Sequence, residues 1–218
     1  MARVSKKQIV AALLDRHGQT YAEELGIDPR KQTPSNLFQL LCAAVLFSAR
    51  IDASIATEAA RNLKRRGWRT ARKLADSTWR ERVAALNEAG YTRYQERTAT
   101  MLGEMAETVL ERWGGDLRRL REEAGRDPKR ERKLLKQFKG MGDVGVDIFF
   151  REAQAGWDEL RPFADRRALD AARRLGLGRD AKVLARLADG RDFDRLVAAL
   201  VRTELSDDYD EIRAAARG

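Results

Sequence analysis

Apolar residues recur along most of the chain at spacings typical of α-helices. The strongest pattern covers 37–45, where apolar side chains stand at i, i+3, i+4, i+7 and i+8. Thr33 and Pro34, directly before it, form a common helix start signal. The segment is apolar nearly all round, so it predicts a central, buried helix.

Weaker amphipathic patterns predict helices along the rest of the chain, beginning at 5–17. A loop is expected at GIDPRKQTPS, and Gly67, Ser77 and Gly90 separate later helices. No run alternates convincingly with period two, so we expect an all-α fold without a substantial sheet. The other predicted helices are 52–66, 70–76, 78–88, 93–112, 116–124, 129–137, 143–155, 166–175, 179–188, 192–204 and 207–216.

The composition narrows the class of partner. Among 218 residues, 35% are charged and the formal net charge is +9, which suits a polyanion such as nucleic acid. Alternatively, the many charged residues are simply Arg and Glu on the exposed faces of helices, with no polyanion partner. The single cysteine, Cys42, lies in an apolar run. Because an iron–sulfur cluster needs several cysteine ligands, one cysteine excludes such a cluster. With one histidine, His17, no histidine-centred site is supported, so we expect no metal or cofactor and a reducing compartment.

A glycine-rich turn, FKGMGDVG at 138–145, separates two predicted helices. Glycine at 140 and 142 permits positive φ, and the backbone N–H groups before a helix can hold a phosphate oxygen. No Lys-Ser/Thr follows at P-loop spacing, and no strand precedes the turn as in a dinucleotide-binding fold. An ordinary helical hairpin with glycine caps would also fit.

From about Leu37 to about Leu205 the chain resembles the helix-hairpin-helix DNA glycosylases, the superfamily that includes endonuclease III. The segments that carry the resemblance are LLCAAVLFSARIDASIATEAARNL, LNEAGYTRYQERTATMLGEMAETVLERWGGDL, FKGMGDVGVDIFF and PFADRRALDAARRLGL, in the family's order. The resemblance implies a two-lobed all-α fold. The expected lobes are 36–142, ending in the hairpin, and 1–35 with 143–218, carrying the catalytic aspartate.

By this resemblance, Asp165 is the catalytic residue. A carboxylate beside the sugar stabilises the positive charge that develops as the base departs. Asp165 is also well placed to act only as the N-cap of the helix that follows it, and both roles are compatible.

Bifunctional members of the family carry a lysine two residues after the second hairpin glycine. Here that position is Val144, and Lys139 lies on the other side of the turn. The resemblance therefore implies a monofunctional glycosylase whose lyase step is absent or weak. A bifunctional enzyme that uses another amine remains an alternative. The four-cysteine loop at the family's C-terminal end is also missing from this sequence.

Further residues match family positions that face DNA. Arg50 matches a residue that fills the gap left by a flipped base, and Tyr91 matches an apolar wedge. Alternatively, Arg50 is an ordinary surface arginine and Tyr91 is a partly buried tyrosine without a role in DNA binding. The expected pocket aromatics are Phe47, Tyr94 and Trp157, unless they belong to the core. The expected DNA contacts are Arg50, Tyr91, Arg93, Lys139, Gly140, Met141, Gly142, Val144 and Gly145.

These expectations combine into one function, excision of a damaged or mispaired base from duplex DNA during base excision repair. Alkylated purines and deaminated or oxidised pyrimidines are candidate lesions. We expect a monomer without a membrane partner, in the cytoplasm with the nucleoid. The alternative is a non-catalytic DNA-binding protein on the same scaffold.

Overall fold

In the computed structural model, which describes residues 4–188, 190 and 192–217, all regular structure is helical. This confirms the all-α prediction. The first seven helices are α1 Lys6–His17, α2 Tyr21–Glu24, α3 Pro34–Ser48, α4 Ala53–Arg65, α5 Ala71–Ala75, α6 Trp79–Glu88 and α7 Gln95–Trp113. The other seven are α8 Leu117–Glu123, α9 Pro128–Leu135, α10 Asp143–Ala153, α11 Arg166–Arg174, α12 Ala181–Ala185, α13 Asp192–Ser206 and α14 Tyr209–Ala215.

Polar caps fix where several helices begin. Thr33 accepts a hydrogen bond from the backbone N–H of Asn36 at 3.2 Å, and Pro34 is the first residue of α3, as the start signal predicts. The short helix α2 was not predicted, because four residues are too few to show a periodic pattern. It depends on a capping box in which Thr20 and Glu23 each accept a hydrogen bond from the other's backbone N–H.

Buried apolar side chains form two clusters. The first surrounds α3, takes in residues of α4 to α10 and includes Val146, Phe149 and Phe150 of α10. The second is built from α1 and from α11 to α14. Because α10 packs along α3 and also touches α13, it connects the two clusters. The lobe boundary between 142 and 143 stays a prediction. No helix in the described ranges is long and apolar enough to span a membrane.

Glu131, on α9, is completely buried, and neither of its carboxylate oxygens accepts a hydrogen bond. Its neighbour Glu159 is held by Arg121 through two hydrogen bonds of 2.5 Å each. Burial, followed by the hydrogen bond and charge of Glu159, raises the pKa of Glu131 to about 8. A proton on Glu131 lets it donate to Glu159, so the pair is stable with one proton between the two carboxyl groups.

We expect the stability of the protein to fall as pH rises from about 5 to 8, because folded Glu131 keeps a proton that the unfolded chain releases near its ordinary pKa. Glu131→Gln should remove the part of this fall that Glu131 causes and raise the free energy of unfolding at pH 8.5 by about 1–3 kcal/mol, the cost of a poorly satisfied buried polar group. Urea unfolding from pH 5 to 9 measures it. Glu122→Gln, an exposed change on α8, is the control. Identical pH dependence in both variants would contradict the prediction.

Candidate active site

A cleft of about 580 Å³ opens where α3 ends and α10, α11 and α13 approach one another. Its wall combines apolar side chains with four arginines and four carboxylates. The apolar part includes Phe47, Ile51, Val144, Ile148, Val201 and Leu205. The charged part comprises Arg50, Asp147, Arg151, Asp165, Arg166, Arg167, Asp170 and Glu204. An apolar cleft with a few converging charged groups is the usual form of a ligand site.

Asp165 stands on this wall as the N-cap of α11. Its Oδ1 accepts a hydrogen bond from the backbone N–H of Ala168 at 2.9 Å, so the cap that the sequence suggested is present. The buried amide of Gln154, at the end of α10, holds the chain before Asp165. Gln154 donates to the carbonyl oxygen of Phe163 and accepts from its N–H, each at 2.9 Å. These bonds fix the connector between α10 and α11 and with it the position of Asp165.

The other oxygen of Asp165 is ion-paired with Arg151 of α10. The Nη1–Oδ2 distance is 2.5 Å, and the two side chains are only 5% and 7% exposed. Burial opposes the charge of Arg151, but Asp165 and then Glu152 hold the pKa of this guanidinium above its usual value. Both oxygens of Asp165 therefore have a partner, and its carboxylate is fixed in one orientation.

An aromatic pair forms the inner wall beside this ion pair. The rings of Tyr21 and Phe47 lie 4.8 Å apart, and Tyr21 is covered by the guanidinium of Arg202, 4.1 Å from its ring centroid. The guanidinium of Arg151 lies 5.7 Å from the same centroid. Burial raises the pKa of Tyr21, so its hydroxyl stays neutral at physiological pH.

The glycine turn joins α9 to α10 at the edge of the cleft. Gly140 has φ of +86°, and a Cβ there would meet Met101 Sδ at 2.6 Å. Met141 is buried and anchors the turn in the first cluster. Gly142 is the N-cap of α10 in extended backbone, without a side-chain cap, so the first N–H groups of α10 make no bond to a capping side chain.

Charges around the turn are partly paired within the protein. Lys139 Nζ lies 2.8 Å from Glu104 Oε1, although Lys139 remains well exposed. Asp143, in the first turn of α10, pairs with Lys136 at 2.9 Å. Lys136 is the leading cause of a lowered pKa of Asp143. A phosphate at this helix terminus would thus meet free N–H groups beside a carboxylate that is already neutralised.

The structure brings several sequence-predicted residues to the cleft. Phe47 and Arg50 line it beside Asp165, and Val144 lines it with 58% of its surface exposed. Arg93 is exposed and covers the ring of Tyr94 at 5.2 Å. Tyr94 itself does not line this cleft, so the described geometry gives it no place in the pocket wall.

Two sequence-based expectations are corrected. Tyr91 is buried, and its hydroxyl donates to the carbonyl oxygen of Leu46 at 3.3 Å, so it is not available as a wedge between bases. Trp157 is completely buried and packs edge-on against Phe149, with ring centroids 5.5 Å apart. Both are core aromatics, the alternative that helical spacing left open.

The buried residues that hold Asp165 on the side away from the cleft were not identified from the sequence. Arg151 and Glu152 follow two phenylalanines in α10, which is an unusual place for charged side chains if the helix is buried. That is a signal of a buried ion pair, but it does not identify Asp165 as the partner 14 residues away. Tyr21 and Gln154 have no comparable signal in the sequence.

The chain is similar in structure to an endonuclease III–DNA covalent intermediate, trapped as an estranged-adenine complex. The match has a TM-score of 0.51 and covers 91% of this chain and 86% of the other, with 17% sequence identity. This chain has the endonuclease III fold. No protein-family model matches the chain, and no curated protein matches it either. At this identity the likeness establishes the fold, and the endonuclease III fold provides the frame for the cleft.

The ion pair predicts a large effect of losing Arg151. Arg151→Met should lower the free energy of unfolding by about 3–5 kcal/mol, because it leaves buried carboxylates without their countercharge. Urea unfolding at pH 7 measures the change. Arg166→Met, at a neighbouring cleft arginine whose side chain is 95% exposed, should change it by less than about 0.5 kcal/mol. Equal changes in the free energy of unfolding for the two substitutions would show that the buried ion pair contributes no more to stability than an exposed arginine.

Proposed function

We propose that the protein is a monofunctional DNA glycosylase of base excision repair, which hydrolyses the N-glycosidic bond of a damaged or mispaired base in duplex DNA. The observation that carries this proposal is the position of Asp165, a fixed carboxylate on the wall of an apolar cleft in a chain with the endonuclease III fold. The solved structure with this fold is a covalent intermediate on DNA, which supports DNA as the ligand.

Hydrolysis of the N-glycosidic bond in the cleft would need one anion held beside the sugar. As the bond between the sugar and the base breaks, its electron pair leaves with the base and the sugar becomes positively charged. Asp165 would stabilise that charge and orient the water that adds to the sugar. The apolar wall with Phe47 and Tyr21 would receive the flipped base, since aromatic rings stack on nucleobases.

DNA would approach from the side of the turn and the exposed arginines. The N–H groups at the start of α10, next to Gly140 and Gly142, would hold a phosphate, since no side chain caps them. Arg50 and Arg167 line the mouth of the cleft and have no ion-pair partner among the described residues. Such cations contact phosphates and make binding dependent on salt. The protein would act as a monomer on duplex DNA in the cytoplasm, with the nucleoid.

A specific observation favours a second candidate, a DNA-binding protein that has kept the scaffold without excising a base. Arg151 neutralises Asp165 within the protein, and a neutralised carboxylate stabilises a sugar cation less well. On this alternative, DNA binding persists without base release and does not depend on Asp165.

Asp165→Asn should lower the single-turnover rate of base release by about 100-fold or more, because the charge that stabilises the sugar cation is lost. Asparagine keeps the N-cap but leaves the buried Arg151 with Glu152 as its remaining countercharge, so urea unfolding is measured first to establish that the variant is folded. The assay uses duplexes with one alkylated, deaminated or oxidised base, heated in alkali to cleave at each abasic site. Asp180→Asn, another N-cap aspartate, at the start of α12, is the matched control. Tight binding of every duplex with no release would favour the scaffold protein.

Borohydride trapping tests the monofunctional assignment. A lyase forms a Schiff base between a protein amine and the sugar, which borohydride reduces to a stable covalent complex. The wild-type protein should leave no trapped complex. Val144→Lys should produce one, because residue 144 is exposed and lines the cleft. Trp79→Lys, at an exposed position that does not line the cleft, is the control. A trapped wild-type complex would instead point to another amine.

A further inference from the structure

The cation that holds Asp165 has a second acidic neighbour. Glu152 follows Arg151 on α10, and its Oε1 lies 3.7 Å from Arg151 Nε. The other oxygen of Glu152 accepts a hydrogen bond from the backbone N–H of Ala22 at 2.9 Å. One buried guanidinium therefore lies between two buried carboxylates, with Asp165 on the cleft side.

The two facing atoms, Arg151 Nε and Glu152 Oε1, are both buried and make no hydrogen bond. Both residues line a second cavity of about 110 Å³, which Asp194 also lines with an unpartnered Oδ1. Glu152 does not line the cleft, so a ligand in the cleft has no direct contact with it. At 3.7 Å, the contact between Arg151 Nε and Glu152 Oε1 is an ion pair without a hydrogen bond, so Glu152 acts on Arg151 through its charge.

We propose that Arg151 is a positioning residue shared between Asp165 and Glu152, so that Glu152 sets how much of the negative charge of Asp165 is expressed in the cleft. With Glu152 ionised, the group of three carries a net charge of −1. With Glu152 protonated, Arg151 neutralises Asp165 alone and the net charge is zero. The part of this inference that concerns catalysis rests on the proposed glycosylase function, whereas the sharing of Arg151 does not.

Several groups around Glu152 act on its pKa. Burial raises the pKa of Glu152, while Arg151 and Arg202 lower it and Asp194 raises it. The charged and titratable groups that face it come from α2, the loop after α2, α10 and α13. They are Tyr21, Glu23, Glu24, Asp28, Arg30, Arg151, Asp194 and Arg202.

The first test follows the Glu152 carboxyl group by carbon NMR across a pH titration of the whole protein. Asp165→Asn should lower the pKa of Glu152, because Arg151 then serves one carboxylate and a nearby negative charge is gone. Asp170→Asn is the matched control. It removes the same charge from α11, but Asp170 pairs with Arg166 and Arg173 instead of Arg151, so the Glu152 titration should not move. An unchanged pKa in the Asp165→Asn variant would overturn the sharing of Arg151.

The second test measures base release by Glu152→Gln, whose amide keeps an oxygen for the N–H of Ala22. At a pH above the Glu152 titration found by NMR, the single-turnover rate should fall about tenfold. The rise of the rate with pH through that titration should disappear, while DNA affinity stays the same. An unchanged rate and pH profile would overturn the catalytic part of the inference. If the wild-type protein releases no base at all, the proposed function fails, and the NMR titration still decides whether Arg151 is shared.

Discussion

A guanidinium and a carboxylate buried against each other link the two halves of this molecule. Arg151 belongs to α10, whose apolar face is part of the first cluster, and Asp165 begins α11, which packs in the second. Removing two such charges from water costs several kcal/mol, which is recovered only if the pair is close and its remaining polar atoms are satisfied. The 2.5 Å contact and the cap at Ala168 meet that condition for Asp165 but not for Arg151, whose Nε has no hydrogen-bond partner.

This constraint explains why the cleft has its present form. Gln154 fixes the chain between α10 and α11, and the ion pair fixes the direction of the carboxylate, so that Asp165 faces the apolar wall and cannot rotate toward solvent. An electrostatic catalyst benefits from this arrangement, because a fixed charge needs no reorganisation when the sugar cation forms. The same arrangement reduces the charge available to do so. The balance between these two effects distinguishes a glycosylase from a DNA-binding scaffold.

The sequence predicted those features that depend on local patterns. The apolar period of 37–45 and the Thr33 cap were enough to predict α3, and the order of motifs indicated the endonuclease III fold. The N-cap role of Asp165 was also predicted, whereas its catalytic role stays a prediction. Tyr91 and Trp157 were misassigned because a sequence pattern does not distinguish an aromatic side chain in the core from one in a pocket. Arg151 could not be paired with Asp165, since the two residues belong to separate helices.

The turn and the buried ion pair differ in whether a negatively charged ligand can change their existing contacts. At the turn, Asp143 is exposed and paired with Lys136 in water, so this contact can rearrange around a phosphate at little cost. At the ion pair, both members are buried, and a ligand cannot displace Asp165 from Arg151 without leaving a charge unpaired. DNA binding would therefore reorganise the turn and leave the ion pair intact. On the proposed sharing of Arg151, the charge in the cleft is then set from within the protein by Glu152, whose Oε1 lies 3.7 Å from Arg151 Nε.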